Sequence, residues 1–149
     1  MTSLVVLPAE YGYVLFAAST TFFVNTLHGF LTGKARRASG IKYPTSFAST
    51  EQAEKDVAAF KFNCAQRAHA NFTENLTPFL GALLISGLKY PVAAAGAGLV
   101  WTTARVLFAI GYVSKGPQGR MVGSTVGTLT DLTLKVTAAY TALGFAMGW

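Results

Sequence analysis

Residues 62–75 read FNCAQRAHANFTEN and lead without a break into LTPFL (76–80) and an apolar run that ends near residue 88. Arg67, His69 and Glu74 thus stand beside a segment with the composition of a membrane span. Ionisable groups in or beside hydrocarbon are costly, so they usually mark a site. Residues three and four apart share a helix face, which puts Cys64, Arg67, Asn71, Glu74 and Pro78 on one stripe, at steps of 3, 4, 3 and 4. Ala65, Phe72, Leu76, Phe79 and Leu83 fall on other faces, suited to lipid or to neighbouring helices.

The rest of the chain has the same character. Its 149 residues suit one domain, 1–149, and 52% hydrophobic against 12% charged residues is unusual for a soluble fold. A transmembrane helix needs about 20 mainly apolar residues. Four windows qualify: 10–33, 70–88 with a cytosolic extension from 57, 91–114 and 121–148. The first lacks basic residues ahead of it and is too long for a leader core, so it is expected to be a retained span. These windows predict an all-α, integral membrane four-helix bundle.

Basic residues set the orientation. Lys34, Arg36, Arg37, Lys42, Lys55 and Lys61 lie between the first two windows, and Lys115 and Arg120 between the last two. The positive-inside rule makes both loops cytosolic and both termini lumenal or exterior. The net charge of +6 could suit nucleic acid. The bases are split between loops, however, with no interleaved basic and aromatic surface, and nucleic-acid binding is set aside. The single cysteine, Cys64, allows no intrachain disulfide, and His28 and His69 lack metal-ligand spacing, so no metal is expected. In 34–61, Gly40, Pro44 and the run of Ser and Thr interrupt any helix until Glu51–Asp56.

Arg105, Phe108 and Tyr112 repeat the stripe on the third long helix, toward the same membrane surface as Arg67. The two helices can line one cationic pocket, with Arg36, Arg37, Arg67, Arg105 and Arg120 available to it. A guanidinium stays charged when partly desolvated and grips carboxylates through paired hydrogen bonds, so the implied ligand is small, polar and anionic. Glu74 would hold the amino group of an amino-acid-like ligand or neutralise Arg67. A hydrophobic second substrate would enter from the bilayer.

Together with EYGYVL (10–15), KARRASGIKYP (34–44) and RVLFAIGY (105–112), the 62–80 stretch resembles the MAPEG superfamily of membrane proteins of eicosanoid and glutathione metabolism. Within it the chain is most similar to the type-3 microsomal glutathione transferases. The resemblance spans nearly the whole chain and centres on Arg67, Ala68, Asn71 and Glu74. It implies a homotrimer of the endoplasmic reticulum membrane, with glutathione as co-substrate bound between subunits. The contacts implied are Arg36, Arg67, His69, Asn71, Glu74, Arg105, Phe108 and Tyr112, and Arg120 is implied as the catalytic residue that activates the thiol. A fixed cation beside a thiol favours the nucleophilic thiolate. The implied partners are a hydrophobic electrophile or lipid hydroperoxide and membrane lipid. Phe108 stands where many members have Tyr, and Asn75 where the leukotriene branch has Tyr. The interval from Tyr112 to Arg120 matches the type-3 spacing and is one residue longer than in leukotriene-C synthase.

Plainer roles compete at several positions. The Arg67, Asn71 and Glu74 stripe also suits a network that fixes helix packing. Cys64 fits as a small packing residue, His69 as a hydrogen-bonding one and Arg37 as a membrane anchor. Asp131 and Lys135, one turn apart, are expected to neutralise each other. Tyr11, Tyr13, Tyr90 and Trp149 suit an interfacial aromatic belt. At the level of the whole protein, the rival to an enzyme is a non-enzymatic lipid-binding scaffold of the lipoxygenase-activating type.

Overall fold

The computed structural model describes residues 7–148. Four long helices dominate it: α1 (Tyr11–Ser39), α3 (Val57–Gly87), α4 (Pro91–Lys115) and α5 (Met121–Met147), with a short α2 (Thr50–Lys55) in the first connection. A 3-10 turn, Gly116–Gln118, joins α4 to α5, and no strand occurs among the described residues. At 1.5 Å per residue, helices of 25 to 31 residues exceed the roughly 30 Å hydrocarbon core of a bilayer.

Successive long helices run antiparallel. The Tyr11 hydroxyl at the start of α1 donates to the Leu84 carbonyl near the end of α3 (3.0 Å), while Thr32 near the other end of α1 reaches Ala65. The bundle interior is built from Phe72, Phe79, Leu83, Trp101 and Leu134, with Phe79 stacked on Trp101 at 3.7 Å between ring centres. Outward, α1 presents Phe16, Phe22 and Phe23, and α5 presents Leu129, Leu132, Val136 and Phe145, all more than half exposed. An apolar exterior of this extent suits lipid and not water.

Two helices, α1 and α4 with its turn, contain stretches both long and apolar enough to cross a membrane, at mean hydropathies of 1.4 and 1.5. The other two fall short of that standard for visible reasons. The polar stripe interrupts α3, and α5 carries Asp131, Lys135 and a series of threonines. Three of those hydroxyls are satisfied within the helix, as Thr130, Thr133 and Thr137 each donate to the carbonyl four residues back, whereas the buried Thr141 hydroxyl has no partner.

Helix association in lipid depends on close contact between backbones. Gly123 on α5 provides it, since a Cβ there would lie 2.5 Å from the Ala104 oxygen and the Phe108 nitrogen of α4. Gly111 and Gly119 approach each other even more closely, clamping the end of α4 against the entry to α5.

The segment between α1 and α3 is fastened to α3. Asn63 accepts from the Ala48 N–H (2.7 Å) and donates to its carbonyl (3.0 Å), and Gln66 donates to the Ser46 carbonyl. Ser49 and Gln52 form a reciprocal capping box that starts α2, and Asp56 caps α3 through the Ala58 N–H. These caps restart the helix that Gly40 and Pro44 interrupt.

The aromatic belt needs one correction. Tyr11 is buried and bonded to α3, because its hydroxyl satisfies a carbonyl inside the bundle. Tyr13 and Tyr90 are exposed, and Trp149 lies outside the described residues.

Candidate functional site

The polar stripe of α3 faces away from the core of the single chain. Its neighbours Ala65, Phe72, Phe79 and Leu83 turn inward and are buried, which leaves Arg67 and Glu74 on the outer surface with about half of each side chain exposed. Arg67 Nη1 donates to Glu74 Oε1 at 3.1 Å, two turns along the helix. An exposed pair of this kind is worth about 0–1 kcal/mol, so an incoming carboxylate and ammonium can replace it at little cost.

Asn71 lies between them and looks toward α4. Its Oδ1 accepts from Arg105 Nη1 at 2.8 Å. Arg105 is buried, with its guanidinium 4.9 Å from the Trp101 ring and 5.6 Å from that of Phe108. The Phe108 ring meets Tyr112 edge to face at 5.7 Å, and both pack with Cys64 and Ala68 of α3.

Arg120 joins this group from the far side of the 3-10 turn. The Gly111 and Gly119 contact folds the chain back, and the Arg120 guanidinium comes to 5.1 Å from the Tyr112 ring. A cavity of about 410 Å³ opens at the same end of the bundle, lined among others by Arg67, Cys64, Tyr112, Pro117, Phe47 and Glu54. Phe47 and Glu54 come from the connecting segment and escaped sequence reasoning. Their place depends on the Asn63 and Gln66 hydrogen bonds that fold that segment over α3, and no periodicity signals such a contact.

The predicted residues therefore separate into groups. Arg67, Asn71, Glu74, Arg105, Phe108, Tyr112 and Arg120 occupy one connected region where α3, α4 and the turn meet. His69 lies next to it in a smaller recess with Phe47, Gln66 and Thr73, its ring 6.0 Å from that of His28. Arg36 is engaged elsewhere. It is buried, donates to the carbonyls of Thr45 (2.8 Å) and Ile41 (3.3 Å), and is sandwiched by Tyr43 and Phe62. In the single chain its work is to fasten the basic loop.

The chemistry available is that of arginine side chains grouped over apolar packing, beside a cavity whose charged lining is Arg67 and Glu54. Cys64 borders it, but burial pushes its thiol above the ordinary range, which leaves it protonated and a poor nucleophile at neutral pH. The arginines can bind an anion and stabilise negative charge that develops on a bound molecule. Among the described residues no three His, Cys, Asp or Glu side chains gather as a metal site would require.

Over 112 residues, 74% of each chain, the sequence is 31% identical to the uncharacterized protein sll1147 of Synechocystis sp.. The model of the MAPEG family matches residues 14–140, a span that runs from the first turn of α1 to near the end of α5 and includes the whole cluster. The chain belongs to the MAPEG family, whose members include glutathione transferases and proteins of lipid metabolism.

Proposed function

We propose that the protein is a membrane-bound glutathione transferase of the type-3 microsomal branch, which joins the glutathione thiolate to hydrophobic electrophiles and uses the same thiolate to reduce lipid hydroperoxides. The observation that carries this reading is the convergence of Arg67, Asn71, Glu74, Arg105, Tyr112 and Arg120 on one region. Glutathione offers two carboxylates and one ammonium, and this region offers the guanidinium groups of Arg67, Arg105 and Arg120 and the Glu74 carboxylate. Arg67 and Glu74 grip the peptide ends by exchanging their mutual ion pair for bonds to the ligand. Arg105 and Asn71 form the inner wall. Arg120 stabilises the thiolate, whose attack on an electrophilic carbon forms the C–S bond while the leaving group departs with the displaced electron pair.

The outward direction of the α3 stripe supports a homotrimer with the site between subunits, because a ligand-binding face half exposed in one chain is completed by a neighbour. His69 and Arg36 have their place in that reading as contacts made in the assembled protein. All four long helices cross the membrane, with the basic loops cytosolic, the termini on the opposite side and the endoplasmic reticulum as the site of residence.

Glutathione transfer to an aryl halide, and glutathione-dependent reduction of a lipid hydroperoxide, test the activity in detergent or nanodiscs. Arg120→Ala is expected to lower turnover by about 100-fold, the scale on which removal of a preorganised charge-stabilising group acts. Glutathione affinity should stay within a few-fold. Loss of binding with turnover of the bound fraction intact would make Arg120 a ligand anchor and remove it from the chemistry. Lack of both activities while lipid binding persists would favour the scaffold reading.

A further inference from the structure

Arg105 is enclosed by groups from α3, α4 and α5. Asn71 of α3 accepts from its Nη1, and Trp101 and Phe108 of its own helix lie against the guanidinium. On α5 the nearest contact is Gly127, whose missing side chain leaves room for the guanidinium: a Cβ there would sit 3.6 Å from Arg105 Cζ and Nε. Asp131 follows one turn later on the same buried face of α5.

Several buried polar atoms in this region have no hydrogen-bond partner, namely His28 Nδ1 and Nε2, Trp101 Nε1, Arg105 Nε and Asp131 Oδ1, and of these only Arg105 and Asp131 belong to side chains of opposite charge. Lys135 takes only the other oxygen, Oδ2, at 2.5 Å. A carboxylate needed solely to neutralise Lys135 would do so at the outer surface, where Lys135 itself remains 42% exposed. Asp131 instead keeps only 10% of its side chain exposed. Lys135 balances the charge through Oδ2, but a carboxylate oxygen buried without a partner is unfavourable, and Arg105 is the nearby buried cation that offsets it.

We infer that Asp131 is a positioning residue for the proposed glutathione site: from α5 it supplies the counter-charge that keeps Arg105 buried and aimed at Asn71, with Gly127 as the gap that lets the two approach. This rests on the proposed function for its consequence; for the pairing it rests on Gly127 lying against the guanidinium, on Asp131 one turn away on the same buried face and on their two unsatisfied atoms, since the described residues show no direct salt bridge between the two side chains. Asp131 touches no substrate. It acts through Arg105 and, by way of Arg105, on Asn71.

The test is a double-mutant cycle on the full chain in detergent. Asp131→Asn keeps the shape and removes the charge. It is expected to raise the KM for glutathione about tenfold with kcat within about twofold, because a buried charge pair is broken and binding geometry lost. Lys135→Gln, which leaves Asp131 facing Arg105, should change KM by less than about twofold. The effects of Asp131→Asn and Arg105→Lys on KM should be markedly non-additive. Equal effects of Asp131→Asn and Lys135→Gln, or additivity with Arg105→Lys, would overturn the inference. Should the unmodified protein bind no glutathione, the proposed function falls by itself. The same cycle read in thermal unfolding midpoints then decides the pairing, where coupling supports it and additivity overturns it.

Discussion

At the scale of single residues, the site combines weakly held surface charges with tightly held interior ones. Arg67 and Glu74 pair across half-exposed side chains, so Arg67→Ala is expected to cost about 1 kcal/mol or less of stability while glutathione affinity falls by tenfold or more. Thermal unfolding and glutathione titration of the same variant separate the two effects. Cys64 offers a contrasting expectation. Its thiol is raised by burial, so maleimide labelling should be slow at pH 7 and should accelerate as pH rises past the ordinary thiol range, since deprotonation generates the reactive thiolate. Fast labelling at neutral pH would show that the cleft reaches the sulfur. The stripe from Cys64 to Glu74 could be read from helical spacing alone, because the structure keeps α3 continuous there. The partner of Asn71 could not: Arg105 is 34 positions away, and only packing of α3 against α4 brings them to 2.8 Å. Arg36 shows the opposite limit. Sequence places a cation in the loop, but the carbonyls it serves appear only once the loop is folded.

At the scale of elements, glycines decide how closely α4 and α5 approach. Gly123→Ala would drive a methyl group into the α4 backbone at Ala104 and Phe108, and overpacking of this kind costs about 1–3 kcal/mol. A fall in the unfolding midpoint in detergent is therefore expected, whereas Gly96→Ala, with open space around it, should be neutral or slightly stabilising through helix propensity. Similar losses in both variants would contradict the packing account. The short α2 depends on its cap, and Ser49→Ala should cost about 1 kcal/mol locally, visible as faster amide exchange in 50–55. Helix α3 starts where its capping aspartate predicts, because Asp56 is both the end of α2 and the N-cap of α3. Glycine roles on α5 were invisible in sequence. A spacing of four along Gly119, Gly123 and Gly127 marks a seam only when the facing helix is known.

At the scale of the molecule, the bundle carries apolar side chains on its outside and a polar cluster toward one end, as the proposed activity in a membrane requires. The strict test of apolarity passes α1 and α4, while α3 and α5 mix function and packing into their sequences. An all-helical architecture was therefore legible, whereas assembly was not, since no single-chain pattern reports a neighbour. Native mass spectrometry from detergent is expected to give a trimer, and a monomer under conditions that preserve glutathione binding would remove the intersubunit site. The central claim is tested most directly by titrating the purified protein with glutathione and following ultraviolet thiolate absorbance. The account predicts saturable binding below millimolar glutathione with thiolate formed at neutral pH, and thiolate lost in Arg120→Ala. Absence of binding at millimolar glutathione would contradict it.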